Sequence, residues 1–171
     1  MNSAAETVTV RPATPADLPA LGRLGALLVR LHHAFDAQRF IPPLPNLEAL
    51  YGAYLGEQSA EPNVVVLVAE RDGVVLGYTY AGVEGAEYMA LRGPAGVLYD
   101  IVVDPAARGQ GVGRTLLDAT LAALASRGVP RAVLMTAAQN APAQRLFARA
   151  GFRQTMVEMT RELGADASQA R

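Results

Sequence analysis

The apolar positions of the chain fall into two rhythms, and the switches between them outline its elements. From about Ala16 to His33, Leu18, Leu21, Leu24, Leu28 and Leu31 recur at helical spacing and predict an amphipathic helix. Thr14, Pro15 and Asp17 supply its capping and first-turn chemistry, and Pro19 allows a slightly later start. A short strand, Val8 to Arg11, precedes it, and Leu47 to Leu55 predicts a second, shorter helix ending near Gly56. The runs Val64 to Glu70 and Val74 to Val83 flank Asp72 and Gly73, a pair suited to a type I′ turn, so they predict an antiparallel hairpin. Gly82 to Pro94 has no clean period and reads as a loop or a frayed strand. Gly96 to Asp104 is β-branched and aromatic, and Pro105 stops it. Val112 to Arg127 returns to helical spacing through Leu117, Leu121 and Leu124, with Gly128 just past its end. Ala132 to Thr136 reads as a short buried strand. A helix opens at Asn140, tolerates Pro142 in its first turn and turns Ala143, Leu146, Phe147 and Ala150 inward before Gly151. Phe152 to Leu163 predicts a last strand, and Ala165 to Arg171 a disordered tail.

The most informative of these switches is the stretch Arg108, Gly109, Gln110, Gly111, Val112, Gly113, which lies between a stopped strand and a helix. Backbone N–H groups at a helix start have no intrahelical partner, and the aligned peptide dipoles add positive charge there. Glycines let an anion approach, and Arg108 adds a guanidinium that can bond phosphate oxygens in pairs. A dinucleotide fingerprint fits poorly, because its third glycine would fall at Arg114 and Pro105 to Arg108 separates strand from turn. Ala132 to Thr136 also ends without the carboxylate that a ribose requires. A Walker loop is excluded by the absence of lysine.

Composition narrows the classes further. With 171 residues, 51% of them hydrophobic, the chain suits one domain with a sizeable core, expected over about residues 7–163 between short flexible tails. A net charge of −1 with interspersed signs argues against nucleic acid and anionic membranes as partners. No apolar run reaches the roughly 20 residues of a membrane span, and the polar start lacks a signal-peptide core, so a cytoplasmic location is expected. Cysteine is absent, which removes thiolate metal sites and a cysteine-bound acyl intermediate. All fifteen cationic side chains are arginine, consistent with a GC-rich genome. His32 and His33 are the sole histidines and, being adjacent, face different sides of a helix, so no metal site is expected. Two readings stand for the region from His32 to the proline cluster after Phe40: a histidine complementing the helix dipole, or an irregular aromatic segment lining a substrate pocket.

The ordered set VRPATPADL, the hairpin over Asp72 and Gly73, DIVVDPAARGQGVG and NAPAQRLFARAGF resembles the GCN5-related N-acetyltransferase (GNAT) family from about Thr7 to Leu163. The family's R/Q-x-x-G-x-G/A motif is filled by Arg108, Gly111 and Gly113. The resemblance implies an α/β (α+β) fold with a mixed, mostly antiparallel sheet, helices on both faces, and a V-shaped acetyl-CoA slot where two strands splay. It further implies that Ile101, Val102 and Val103 pair with the pantetheine amides, that Gly109, Gln110, Gly111, Val112, Gly113 and Arg114 hold the pyrophosphate with Arg108, and that Asn140 contacts the pantetheine arm. The implied activity is acetyl transfer to a primary amine of a small molecule or a protein N-terminus, by direct attack in a ternary complex. A homodimer is common in the family, though no residue here marks an interface.

Two protons must be managed in that reaction. Asp100 is the expected base, perched at the splayed end of its strand opposite Tyr99, with Glu84 and Glu87 as second choices. A structural carboxylate is the competing reading for Asp100. Many family members place a tyrosine, as the acid for the leaving sulfur, where this chain has Phe147; Tyr78, Tyr80 or Tyr99 could supply a proton instead. That departure motivates an alternative, a CoA-binding module impaired in catalysis.

Overall fold

A computed structural model describes residues 7–163. Its centre is a five-stranded sheet in the order β1 (Thr9–Pro12), β2 (Val64–Arg71), β3 (Val74–Glu84), β4 (Ala95–Val103), β5 (Ala132–Leu134). The first four strands are antiparallel neighbours and β4 pairs with β5 in parallel. The turn between β2 and β3 carries positive φ at both Asp72 (52°) and Gly73 (75°), as a type I′ turn demands.

The helices α1 (Leu18–Phe35), α2 (Leu47–Gln58), α3 (Val112–Ala125) and α4 (Ala141–Arg149) cover the sheet from both sides. Because side chains alternate along a strand, each sheet face builds its own core. Leu21 and Leu24 of α1 and Leu55 of α2 pack on Val66, Val68, Tyr78, Tyr80 and Val102. On the opposite face Leu117 and Leu124 of α3 and Phe147 of α4 pack on Ala81 and Leu98.

The α1–α2 pair is drawn together by glycines. A Cβ at Gly22 would lie 2.1 Å from the Glu48 carbonyl oxygen, and one at Gly52 would lie 2.7 Å from that of Leu18. At Gly25 a Cβ would meet the Tyr51 ring at 2.0 Å. Glycine inside a helix costs up to about 1 kcal/mol relative to alanine, a penalty offset here by close backbone packing.

Several boundaries differ from the expectations. A short 3-10 turn, Pro15–Asp17, precedes α1 and delays its start to Leu18. Helix α2 runs past Gly56 to Gln58, because Gly56 packs on the Leu18 side chain instead of ending the helix. Strand β3 runs one residue past Val83 to Glu84, and the segment beyond it, expected as a loop or a frayed strand, folds back through a Glu87–Arg92 bridge. The expected last strand, Phe152 to Leu163, makes no ladder among the described residues. Its apolar positions lie outward, with Met156 and Val157 about 70% exposed, and Glu158 is held by an ion pair with Arg39. Alternation prepares a segment for a sheet, but only pairing makes it a strand, and β5 offers an edge of just three residues. The expected disordered tail lies outside the described residues. No described helix is long and apolar enough to cross a membrane.

Candidate active site

The site begins where β4 and β5 part. Their pairing covers only Gly96 with Ala132, Val97 with Val133 and Leu98 with Leu134, while β4 continues five residues further to Val103. Beyond Leu98, therefore, one edge of β4 is left unpaired within the sheet, and Ile101, Val102 and Val103 lie on that free edge. Unpaired strand groups are a template for another extended amide chain.

At the end of this edge the chain enters the glycine turn. Gly109 and Gly111 have φ of 76° and 83°, a region that other residues enter only with strain. No backbone bond donated by residues 109 to 114 is found among the described residues; the first donor of the helix is Thr115, to the Gly111 carbonyl. Six consecutive N–H groups are thus left without a backbone acceptor at the start of α3, which is the chemistry an anion cradle needs. A Cβ on Gly113 would make only ordinary contacts with Val103 and Leu146, so the protein itself leaves room there. Arg108 rests its Nε on the Val103 carbonyl at 3.3 Å with its side chain exposed. Arg114 is turned away, bonded to Asp118 and to the Arg149 carbonyl. A second guanidinium, absent from the sequence reading, arrives from the end of β2: Arg71 donates to the Gln110 side chain at 3.0 Å. Gln110 in turn donates to the Ala106 carbonyl, which folds its side chain back onto the turn.

The other end of the free edge is built from side chains. A bulge between β3 and β4 leaves Tyr99 without a partner, since Tyr80 pairs with Asp100 and Ala81 with Leu98. Bulges re-aim side chains, and here Asp100 is sent beneath α1 and α2 while Tyr99 stands half exposed. Asp100 is 8% exposed and accepts hydrogen bonds at Oδ2 from Tyr51 (2.6 Å) and Tyr78 (2.8 Å). Burial raises its pKa above the ordinary carboxylate value, against the lowering effect of the two hydroxyl donors. Burial likewise pushes the Tyr51 and Tyr78 phenols upward, with the carboxylate adding to the effect, so both remain donors. Tyr99 donates to Glu84 at 2.6 Å, and Glu84 is also ion-paired with Arg92. The Tyr99 ring leans on Tyr80, whose hydroxyl meets Tyr54 and Gln58. Of the chain's six tyrosines, two bond the Asp100 carboxylate, and Tyr54, Tyr80 and Tyr99 are linked to one another through ring contacts and a hydroxyl pair.

Two cavities meet at this point. One, of about 230 Å³, is lined by Leu28, Val29, His32, Phe40, Ile41, Tyr99 and Asp100. A narrower one follows the gap between β4 and β5, past Ile101, Leu134, Asn140 and Phe147. The two cavities share Leu28, His32, Tyr99 and Asp100, and the narrower one reaches Ile101 and Asn140; the glycine turn lines neither and lies past the far end of the free edge of β4. Asn140 caps α4 by accepting from the Ala143 N–H at 3.3 Å, leaving its side-chain amide N–H groups free of protein partners among the described residues. Phe147 is buried against Phe152 at the wall of the narrow cavity. Glu87 is bonded to its own loop at the Met89 N–H and stands outside both cavities. His32, Phe40 and Ile41 line the larger cavity, as the pocket reading of that segment expects.

Sequence reasoning missed Tyr51, which reaches Asp100 only because α2 lies close on α1. The signal was present in the interior helix glycines Gly22, Gly25 and Gly52, which have no propensity reason to be there.

A mixed sheet that opens between two parallel strands, with an anion cradle at the following helix, defines a fold that seats an extended, phosphate-bearing molecule. The chain belongs to the acetyltransferase (GNAT) family, whose model matches residues 29–152. It is 38% identical over 109 residues to a mycothiol acetyltransferase of Acidothermus cellulolyticus, a match covering 59% of this chain and 33% of that protein. The chain spans about a third of the length of such relatives. Among solved structures it superposes on a variant of the BH1408 protein from Bacillus halodurans (TM-score 0.79, 19% identity, covering 91% of this chain and 99% of that one). It also superposes on the aminoglycoside N-acetyltransferase AAC(6')-Iy in complex with CoA (TM-score 0.76, 20% identity, 96% and 100% coverage).

Proposed function

We propose that the chain transfers an acetyl group from acetyl-CoA to the primary amine of a small molecule, by direct attack within a ternary complex. The observation that carries this reading is an order along one strand: a carboxylate-bearing cavity at Asp100, an unpaired edge from Ile101 to Val103, and six N–H groups without backbone acceptors in the turn that follows. The pyrophosphate would sit on residues 109 to 114 beside Arg108, with Arg71 close at hand. The pantetheine amides would add to the free edge at Ile101, Val102 and Val103, and Asn140 would meet the arm from across the gap. The thioester then lies where the two cavities join, and the larger cavity receives the amine.

That cavity supports a small acceptor over a protein chain. At about 230 Å³ it is below the usual range for drug-sized ligands, and apolar side chains from α1 and the segment after it form most of its wall. Names among the relatives, mycothiol and aminoglycoside acetyltransferases, also point to small molecules. Asp100 supplies the negative charge that draws in an ammonium group. Tyr99, its proton committed to Glu84, forms the wall between the two cavities. A thiol with a pKa near 8.5 leaves tolerably as a thiolate, so Phe147 at the usual acid position is compatible with turnover.

The same Phe147 favours a second reading, a CoA-binding module impaired in catalysis. Thiol release from acetyl-CoA over a panel of small amines separates the two: amine-dependent release establishes the transferase, and tight CoA binding without release establishes the module. Failure to bind CoA overturns both. A burst of free CoA without acceptor would contradict the ternary complex, and no cysteine exists to carry such an acyl group.

A further inference from the structure

We propose that His32, rather than Asp100, is the base that takes the proton from the acceptor ammonium, through its Nε2 atom. The inference rests on the acetyltransferase reading above and adds to it the fate of the first proton.

The orientation of the ring is fixed by its own helix. Nδ1 lies 2.9 Å from the Leu28 carbonyl oxygen, one turn back. A carbonyl can only accept, so Nδ1 carries the hydrogen, and in the neutral imidazole the lone pair is then on Nε2. The edges of Phe35 and Phe40, with ring centroids at 5.9 and 5.0 Å, clamp the imidazole between them. Such a tether is how proteins choose which ring nitrogen is basic.

The position is equally specific. Only Leu28, His32, Tyr99 and Asp100 line both the larger cavity and the strand gap, and of these His32 alone carries an imidazole, whose Nε2 has no hydrogen-bond partner among the described residues. His33, one residue on, turns its Nδ1 to the Phe40 carbonyl and lines neither cavity. The charged and titratable groups around His32 are few. Asp100 and Tyr99 face it from β4, and Asp36, Arg39 and His33 lie on the end of α1 and the segment that packs over it. Arg39 stacks on Phe40 and is neutralised by Glu158, so it leaves an imidazolium unopposed. Asp100 is near enough for a charge on His32 to act on its carboxyl, as the smallest of the influences there.

Chemistry favours the imidazole as well. As a class, an imidazole is closer in basicity to an alkylamine than a carboxylate is, which suits it to take this proton. Asp100 already accepts two phenolic hydrogens at Oδ2, so its oxygen is engaged as an acceptor and is placed to face the ammonium as a hydrogen-bond partner. The balance is complete without another reactant. The ammonium N–H proton moves to Nε2 and from there to water. The freed lone pair forms the C–N bond as the C–S bond breaks, and the second nitrogen proton ends on the CoA thiolate.

The test is His32→Asn, whose amide N–H can still donate to the Leu28 carbonyl while no basic nitrogen remains. We expect kcat/KM for an alkylamine to fall about 10²- to 10³-fold, the acid limb of its pH profile to disappear, and the KM for acetyl-CoA to stay within about twofold. For an amine of pKa near 7.7 the loss shrinks, because less deprotonation is needed. In parallel, His33→Asn leaves a chain with a single imidazole, and its NMR titration midpoint must match the midpoint of that chain's kcat/KM limb. Activity of His32→Asn within about threefold of the parent with the limb retained would overturn the assignment, while amine-dependent thiol release by the parent keeps the transferase reading intact. Should His32→Asn fail to fold, a mismatch of a full pH unit in the His33→Asn comparison overturns it instead. Absence of thiol release by the parent with every amine removes the transferase reading and this one together.

Discussion

The two ends of the free edge of β4 are made in opposite ways. At the glycine turn the groups on offer are backbone N–H donors of six successive residues, and their geometry follows from two positive-φ glycines and a helix start. At the acceptor end the groups are side chains from α1, α2, β3 and β4, and none of them is in place until the sheet and both helices have packed. The first end is local and tolerant of side-chain change wherever the backbone is kept. The second is a tertiary product, so small changes in helix packing reach its chemistry.

This contrast can be broken most severely at Asp100. Asp100→Asn is expected to lower kcat/KM for the amine by at least about 10²-fold while changing the acetyl-CoA dissociation constant less than about threefold, as read by steady-state kinetics and calorimetry. The same variant sharpens the electrostatics. Since the folded carboxyl has a pKa raised above its unfolded value, its ionised form costs stability at neutral pH, a cost relieved as pH falls through the folded pKa toward about 3.9. Denaturant melts should therefore show the Asp100→Asn variant gaining on the parent at pH 7 and losing that advantage near pH 4.

Gly25→Ala tests transmission through packing. Its Cβ would overlap the Tyr51 ring, so a loss of about 1 to 3 kcal/mol in stability is expected. Displacing Tyr51 from Asp100 should also cost about tenfold in amine kcat/KM, with acetyl-CoA binding unaffected. Gly111→Ala tests the other end. It forces a side chain into φ near 83°, where no protein atom lies within 4 Å, so the strain falls on the cradle alone. A weakening of CoA binding of about tenfold by calorimetry, with the selectivity among amines unchanged, is the expected result. The smallest effect is expected from Phe147→Tyr: activity within an order of magnitude of the parent in the thiol-release assay. A large gain would mean that protonation of the departing sulfur limits turnover.

The same contrast explains what could be read before any fold was known. The hairpin over Asp72 and Gly73, the strand stopped at Pro105, the turn from Arg108 to Gly113 and the cap at Asn140 are short-range features, and each appears in the structure close to where its residues point. Asp100 could be singled out because strand alternation and Pro105 place it. Its partners could not be found in that way, because Tyr51 and Tyr78 lie 49 and 22 residues away in the chain. His32 had two readings because its helix end alone does not say whether Phe40 and Ile41 fold back over it. Phe152 to Leu163 has the alternation of a strand, but alternation carries no information about whether an edge is available to pair with.

The sheet also acts as a partition. Strand β4 carries Asp100 within it and leads into the glycine turn at its end, yet α1 and α2 pack against one face and α3 and α4 against the other, in separate apolar cores. Variation can therefore accumulate on the two sides at independent rates. If the proposed function holds, a lineage that remodels Val29, Phe40, Ile41 or the contact of Gly25 with Tyr51 would exchange one amine for another without retuning the glycine turn, and directed evolution confined to α1, α2 and the segment between them should be enough to bring that about.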